Sequence, residues 1–199
     1  MSALFERLTR LFDEGHGVEL ADLHSDFNLA PPEIRAAAVL IAVTDRPEPG
    51  VLLTHRTPDM RQHAGQVAFP GGKLDPGEDA ITAALREADE ELALPPALVR
   101  VIGASDRFVT GTGYDITPVL GVVPPDLPLV PNPSEVAGWF EVPLDHLFDP
   151  ANHVGRTREW RGRTRETIDI EWGGHLIWGV TAAIIVNLSR RLAWRDRDG

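Results

Sequence analysis

The chain of 199 residues has a formal net charge of −11 at pH 7, and 43% of its residues are hydrophobic and 25% charged. This composition is typical of a globular protein with a substantial core and excludes the fibrous and disordered classes. The absence of cysteine excludes disulfide frameworks, thiolate metal sites and cysteine nucleophiles. The acidic surface disfavours nucleic acid and anionic membranes as partners, and an anionic substrate would need a divalent cation as intermediary.

The first predicted element is an amphipathic helix over residues 1–15. Its apolar residues recur at helical spacing and form one face, which we expect to pack on the domain: Leu4, Phe5, Leu8, Leu11 and Phe12. The segment lacks the apolar centre of a signal peptide, and no apolar stretch of the chain is long enough to span a bilayer. We therefore expect a cytoplasmic protein that does not contact membranes.

The rest of the chain alternates predicted strands with two further long helices. Apolar runs and turn residues predict strands over 36–44, 51–56, 99–104, 114–123 and 135–142, a hairpin over 166–178, a short helix or turn over 144–148, helices over 79–92 and 180–192, and a frayed tail over 193–199. Prolines between the strands at 114–123 and 135–142 predict a loop. This order favours one α/β domain over residues 1–199, in which helices cover a mixed sheet.

The helix predicted over 79–92 gathers acidic residues on one face. Glu87, Glu90 and Glu91 project together because positions three and four apart are neighbours on a helix. A solvated acidic surface is one interpretation. Clustered carboxylates are also the ligands that Mg²⁺ prefers, and a carboxylate at such a site can act as a base. The sequence therefore indicates a candidate metal site here.

The segment GKLDPGEDAITAALREADEEL, residues 72–92, resembles the Nudix box. That pattern is a glycine, five residues, a glutamate, seven residues, and then Arg-Glu-hydrophobic-x-Glu-Glu-x-Gly-hydrophobic. The matching positions are Gly72, Glu78, Arg86, Glu87, Glu90, Glu91 and Leu94. Ala93 replaces the glycine near the end of the box, and the small Ala88 occupies a hydrophobic position.

The resemblance implies a Nudix-like fold, an α/β/α sandwich, and hydrolysis of a nucleoside diphosphate linked to another group with Mg²⁺ or Mn²⁺. It implies that Glu87, Glu90 and Glu91 bind the metal together with the carbonyl of Gly71, and that one of the three glutamates acts as the base. It also implies that Arg86 and Glu78 form a pair that orients the glutamates. Glu135 is a candidate ligand from outside the box, and an exposed glutamate at a strand edge is the alternative.

The preceding segment LLTHRTPDMRQHAGQVAFPGG, residues 52–72, resembles the signature of the coenzyme A pyrophosphatase branch of this family. Thr57 stands where serine or alanine is usual. The resemblance implies cleavage of coenzyme A or its thioesters into 3′,5′-ADP and a 4′-phosphopantetheine product. Arg56 and Arg61 are candidate phosphate ligands beside Gly72, because arginine binds phosphate oxygens in a bidentate manner. Pairing with surplus surface acids is the alternative for both arginines.

Other functions stay open at this stage. The alternative substrates are ADP-ribose, NADH or another nucleoside diphosphate derivative, and a third hypothesis is a nucleotide sensor that does not cleave. The basic stretch Arg156–Arg165 suggests either single-stranded nucleic acid binding or a surface hairpin, and the acidic net charge favours the hairpin. Such a hairpin is a candidate subunit contact in a homodimer.

Overall fold

The computed structural model describes residues 2–57, 65–160 and 162–194. Its described helices are α1 Ala3–His16, α2 Ala80–Leu92, α3 Leu144–Leu147 and α4 Gly179–Leu192. Its described strands are β1 Arg35–Thr44, β2 Gly50–Arg56, β3 Val67–Ala68, β4 Gly71–Lys73, β5 Arg100–Ala104, β6 Phe108–Val109, β7 Tyr114–Val123, β8 Val136–Pro143, β9 Val154–Trp160, β10 Arg163–Trp172 and β11 His175–Trp178. The long predicted elements are therefore present, and strand β9 and the short strands β3, β4 and β6 are additional. Within the tail predicted over 193–199, Trp194 is buried in the core, and residues 195–199 lie outside the described residues.

The larger sheet is built around β1. This strand pairs in parallel with β7 along its whole length and antiparallel with β2 and β4. Strand β8 extends the sheet beside β2, and β5 and β6 pair antiparallel with β7. Because one parallel pair lies among antiparallel pairs, the sheet is mixed, and the predicted α/β class is confirmed.

The apolar composition of β1 follows from its central position. Leu40 and Ala42 lie in the core on the α2 side of the sheet, whereas Ile41 and Val43 lie in the core on the opposite side. A strand that is buried on both faces is a continuous apolar run instead of an alternating pattern. The buried strand predicted over 36–44 is therefore present, and its burial on both faces explains the apolar run.

Helices cover both faces of this sheet. α2 packs on one face through three fully buried alanines, whose small side chains allow a close approach: Ala83, Ala84 and Ala88. α1 and α4 pack on the other face, and their buried residues include Leu8, Leu11, Ile185 and Leu188. The helix–sheet–helix layering implied by the Nudix resemblance is therefore present. No helix within the described parts of the chain is long and apolar enough to cross a membrane.

A second, three-stranded antiparallel sheet packs beside α4 in the order β11-β10-β9. It unites the hairpin predicted over 166–178 with the basic stretch, which forms most of β9 and the start of β10. The guanidinium of Arg158 donates two hydrogen bonds of 2.8 Å to Asp169, and Arg165 donates to Asp26. Part of the positive charge of the stretch is thus neutralised within the protein.

Both ends of α2 are defined by local interactions. The side chain of Asp79 accepts a hydrogen bond of 2.8 Å from the amide of Thr82, which caps the helix start. At the other end Ala93 adopts the left-handed conformation, with φ of 53° and ψ of 40°. Ala93 therefore ends the helix as the missing glycine would, although this backbone conformation costs a non-glycine residue about 1 kcal/mol.

Candidate active site

Three carboxylates converge beside the last turns of α2. Oxygen atoms of Glu87, Glu91 and Glu135 lie within 4.8 Å of one another. Glu87 and Glu91 share one face of the helix, and Glu135 arrives from the residue before β8. The tertiary structure therefore adds a carboxylate from outside the box to two carboxylates from inside it.

The proline-rich loop, residues 124–135, brings Glu135 to this position. Its backbone amides at Val130 and Asn132 donate hydrogen bonds of 2.9 and 2.8 Å to the carbonyls of Leu92 and Glu91. These carbonyls lie at the end of α2 and lack helical partners, so the loop satisfies them. The carbonyl of Glu135 in turn accepts a hydrogen bond of 3.2 Å from the amide of Thr57. The loop is thus tied to both α2 and the end of β2.

Two adjacent glycines form the wall opposite the helix. The amide of Gly71 donates a hydrogen bond of 3.1 Å to the carboxylate of Glu91. Gly71 has a φ of 156°, and a Cβ there would lie 2.3 Å from the carbonyl oxygen of Ala38. A Cβ on Gly72 would lie 2.5 Å from the carboxylate of Glu87. Glycine at position 72 therefore leaves room for the carboxylate of Glu87, and glycine at position 71 allows β4 to pack closely against β1.

Arg86 is the principal charged partner of the box residues. Its guanidinium donates to both carboxylate oxygens of Glu78 at 3.0 Å, in a bidentate pair. The same group donates to Glu87 at 2.9 Å, to Glu90 at 3.1 Å and to the carbonyl of Lys73 at 3.1 Å. Arg86 thus connects the loop before α2 to the acidic face of the helix.

Glu90 is placed differently from the other two box glutamates. Its side chain is 52% exposed, and its carboxylate pairs with Arg86 outside the three-carboxylate cluster. The assignment of Glu90 as a metal ligand stays a prediction. Glu90 shares a face of α2 with Glu87, so a rotation of the Glu90 side chain is sufficient to bring its carboxylate closer to the cluster.

Burial changes the protonation of the clustered carboxylates. Desolvation raises the pKa of Glu91 to about 7, against the opposing effects of the Gly71 amide and the Arg56 charge. Desolvation also raises the pKa of Glu87, although Arg86 opposes it. The hydrogen bonds from Arg86 lower the pKa of Glu78, so this carboxylate stays ionised. The cluster therefore carries a charge that is unfavourable without a cation.

Of the two candidate phosphate ligands, the structure describes Arg56 but not Arg61. Arg56 ends β2, pairs with Val136 in β8, and lies near enough to Glu91 to influence its pKa. The Nε atom of Arg56 is buried and has no hydrogen-bond partner among the described residues. Arg61 lies outside the described residues. The backbone of Gly72 lies directly beside the carboxylate of Glu87.

The donor set fits a hard divalent cation. All three clustered side chains offer carboxylate oxygens, which suit Mg²⁺ and Mn²⁺, and none offers the nitrogen or sulfur that softer metals prefer. Two of the three carboxylates have raised pKa values, so a cation would relieve an existing electrostatic cost. The residues present therefore match the requirement of metal-dependent phosphoryl chemistry.

Comparisons with known proteins agree with this site and fold. The family model for the NUDIX domain matches residues 34–161, which is more than half of the chain. The "Uncharacterized Nudix hydrolase NudL" of Escherichia coli strain K12 is 43% identical over 191 residues, covering 90% of this chain and 97% of that protein. The protein of the same name from Escherichia fergusonii is also 43% identical, with the same coverage.

A solved structure is similar as well. The Nudix hydrolase RenU of M. smegmatis is 31% identical, with a TM-score of 0.49, and the match covers 56% of this chain and 72% of that one. A mixed sheet between helices, with a glutamate-rich helix on one face, is the Nudix fold. The chain belongs to the Nudix hydrolase family, whose members generally use divalent metal ions.

The glycine wall yields a first prediction. Gly72→Ala should displace the carboxylate of Glu87, because the new methyl group would overlap it. We expect Mn²⁺ binding, measured by titration calorimetry, to weaken about 10- to 100-fold, the range for changes just outside a ligand shell. Gly138→Ala is the matched control, since a Cβ there meets no atom within 4 Å. Equal Mn²⁺ affinity in both variants would contradict the proposed packing.

The raised pKa of Glu91 yields a second prediction, for the metal-free protein. The pKa of Glu91 is about 7 in the folded protein, whereas its ordinary value is 4.5. Below pH 4.5 the carboxyl is protonated in both the folded and the unfolded state, and folding has no cost from a buried charge. At higher pH the unfolded state loses the proton first, so the folded state becomes relatively less stable. The free energy of unfolding should therefore fall as pH rises from about 4.5 to 7, by about 3 kcal/mol from this group. Glu91→Gln should flatten that part of the profile in urea denaturation with a chelator present.

Glu48→Gln is the control, because Glu48 is exposed and the substitution removes the same charge. Adding Mg²⁺ at pH 8 should restore stability to the wild-type protein more than to Glu91→Gln. An identical pH profile for the wild-type protein and Glu91→Gln would show that burial of this carboxylate has no such cost.

Proposed function

We propose that the chain is a divalent-metal-dependent hydrolase of the pyrophosphate bond of coenzyme A or its thioesters. The products are 3′,5′-ADP and 4′-phosphopantetheine or its acyl form. The observation that carries this proposal is the position of Arg56. Its guanidinium influences Glu91 electrostatically, and its buried Nε atom has no hydrogen-bond partner among the described residues. A guanidinium beside an acidic cluster is suited to an additional phosphate group.

The metal, Mg²⁺ or Mn²⁺, would be held by Glu87, Glu91 and Glu135, with Glu90 and the carbonyl of Gly71 as further ligands. When bound, it neutralises negative charge that develops on the pyrophosphate oxygens. The geometry of the three clustered carboxylates supports the first part of this set. Glu90 and Gly71 are included because the family resemblance implies them.

The other box residues have distinct roles in this proposal. A glutamate of the box accepts the proton of the attacking water, as the family resemblance implies. Arg86 holds Glu87 and Glu90 in position through hydrogen bonds, and Glu78 fixes the guanidinium of Arg86. Removal of Glu78 would therefore act on catalysis through the orientation of the arginine.

The substrate assignment rests on the extra phosphate of coenzyme A. Coenzyme A carries a ribose 3′-phosphate in addition to its pyrophosphate, and a second cationic group is needed to bind it. Arg56 is next to the acidic cluster, and Arg61 belongs to the same signature segment. The signature from residue 52 to 72 supports this substrate over ADP-ribose and NADH, which lack the pantetheine arm. The full set of box glutamates supports hydrolysis over binding without cleavage.

A third prediction tests the contribution of Glu135 to metal binding. Glu135→Gln preserves the shape of the side chain and removes one charged ligand. We expect the Mg²⁺ concentration that gives half-maximal hydrolysis to rise at least about tenfold, because a carboxylate oxygen is a stronger ligand than an amide for a hard cation. Glu48→Gln, which removes the same charge elsewhere, should leave this concentration unchanged. An unchanged Mg²⁺ requirement in Glu135→Gln would remove Glu135 from the site.

The fourth prediction tests the substrate. The purified protein should cleave coenzyme A about 10- to 150-fold more efficiently than dephospho-coenzyme A, measured as kcat/KM by product chromatography with Mg²⁺. This ratio corresponds to the loss of one charge-assisted hydrogen bond to the 3′-phosphate. NADH and ADP-ribose should be poorer substrates than either. Arg56→Ala should abolish the preference for coenzyme A and leave cleavage of the dephospho form nearly unchanged.

Two further variants sharpen this experiment. Arg10→Ala, in the exposed part of α1, removes an arginine far from the acidic cluster and should preserve the preference. Arg61→Ala separates the two candidate arginines. Equal rates on coenzyme A and its dephospho form would overturn the 3′-phosphate assignment, and faster cleavage of ADP-ribose or NADH than of coenzyme A would overturn the proposed substrate.

A further inference from the structure

A small cavity lies on the α2 side of the larger sheet, beneath the proline-rich loop. It has a volume of about 110 Å³. Its apolar walls come from β2, β8 and the loop, and include Leu52, Leu127, Leu129 and Trp139. One end is polar and is formed by the connected side chains of Thr44, Arg46, Asp126 and Glu141.

The cavity opens on the same face of the sheet as the acidic helix. Leu52 packs in the core that contains the α2 alanines, and it is paired across β2 and β8 with Glu141. Cross-strand partners share a face, so Glu141 and Trp139, two residues apart, also face the α2 side. Phe140 points to the other face, where its ring stacks 3.8 Å from that of His175.

The cavity and the acidic cluster lie along the same pair of strands. Arg56 pairs with Val136, the residue after Glu135, and two residues farther along β2 Thr54 pairs with Trp139. At about 3.3 Å per residue, Trp139 lies about 7 Å along the strands from the level of Arg56, and the polar end of the cavity lies about 13 Å away. This spacing is of the order that separates the phosphates from the base in an extended nucleotide.

The chemistry of the cavity suits a planar heterocycle. Trp139 is 37% exposed, which leaves part of its indole ring available for stacking beside aliphatic walls. At the polar end, Arg46 pairs with Asp126 at 3.1 Å and with Glu141 at 3.3 Å, and Glu141 also accepts a hydrogen bond from the hydroxyl of Thr44. The buried Nε of Arg46 has no hydrogen-bond partner among the described residues. A guanidinium has five donors and a carboxylate about four acceptor positions, so both groups keep hydrogen-bonding capacity beyond these contacts, and that capacity matches the acceptor and amino groups on the edge of a purine.

We propose that this cavity binds the adenine ring of the substrate, with the ring stacked on Trp139 and its edge toward Arg46 and Glu141. The inference rests on the proposed function, which places the pyrophosphate at the acidic cluster and the 3′-phosphate at Arg56. With the 3′-phosphate at Arg56, the adenosine half of the substrate extends along β2 and β8 into the cavity. The pantetheine half then leaves the cluster in another direction.

Product binding tests this subsite without turnover. Kd for 3′,5′-ADP, measured by calorimetry in the presence of Mg²⁺, should rise about 5- to 150-fold in Trp139→Leu, the range for loss of one base–aromatic stack. Trp139→Phe keeps an aromatic face and should retain most of the affinity. Phe27→Leu is the matched control, because Phe27 is another exposed aromatic residue, 66% exposed and outside the cavity.

Ligands that lack the base separate stacking from a general structural defect. Ribose 5-phosphate and 4′-phosphopantetheine should bind the wild-type protein and Trp139→Leu equally. The proposal would be overturned if Trp139→Leu bound 3′,5′-ADP as tightly as the wild-type protein does. It would also be overturned if the variant bound 4′-phosphopantetheine more weakly while its affinity for 3′,5′-ADP was unaffected. The two proposals can fail separately. If the wild-type protein prefers ADP-ribose to coenzyme A as substrate, the coenzyme A proposal is overturned. If AMP binding still depends on Trp139 in that case, the adenine subsite is supported.

Discussion

The repulsion among three carboxylates within 4.8 Å is the constraint around which the α2 side of this protein is organised. Partial burial makes their charges costly, and the pKa of Glu91 is raised to about 7 as a result. The surrounding residues offset part of this cost: the Gly71 amide contacts Glu91, and Arg86 contacts Glu87. A bound divalent cation would offset the remaining cost.

The two faces of the larger sheet differ in what packs against them. On one face, α1, α4 and the second sheet bury a large aliphatic and aromatic core that supplies rigidity. On the other face, α2 lies close to the sheet on small alanines, and the glutamates project at its edge. Close approach is needed there, because Glu87 reaches the backbone of Gly72 only when the helix lies near the sheet. Larger residues in place of the alanines would move the acidic face away from the glycine wall.

The proline-rich loop connects stability with function. It closes the end of α2 through two backbone hydrogen bonds, delivers Glu135 to the cluster and forms a wall of the small cavity. Its prolines cannot donate to a sheet ladder, so the segment stays outside the sheet and is free to follow the helix end. A change in this loop would therefore alter metal binding and the cavity together.

Much of the fold and part of the candidate site could be predicted from local sequence patterns. The apolar run from 36 to 44 predicted a buried strand, and the spacing of Glu87, Glu90 and Glu91 predicted a shared helical face, because both follow from the periodicity of the backbone. The pairing of Arg86 with Glu78 was expected from the family resemblance, and the structure contains it. Only the tertiary structure decided that Glu135, rather than Glu90, lies within the described cluster. It also decided that Trp139 faces a cavity, since strand pairing and the path of a loop set distances between residues that are remote in sequence.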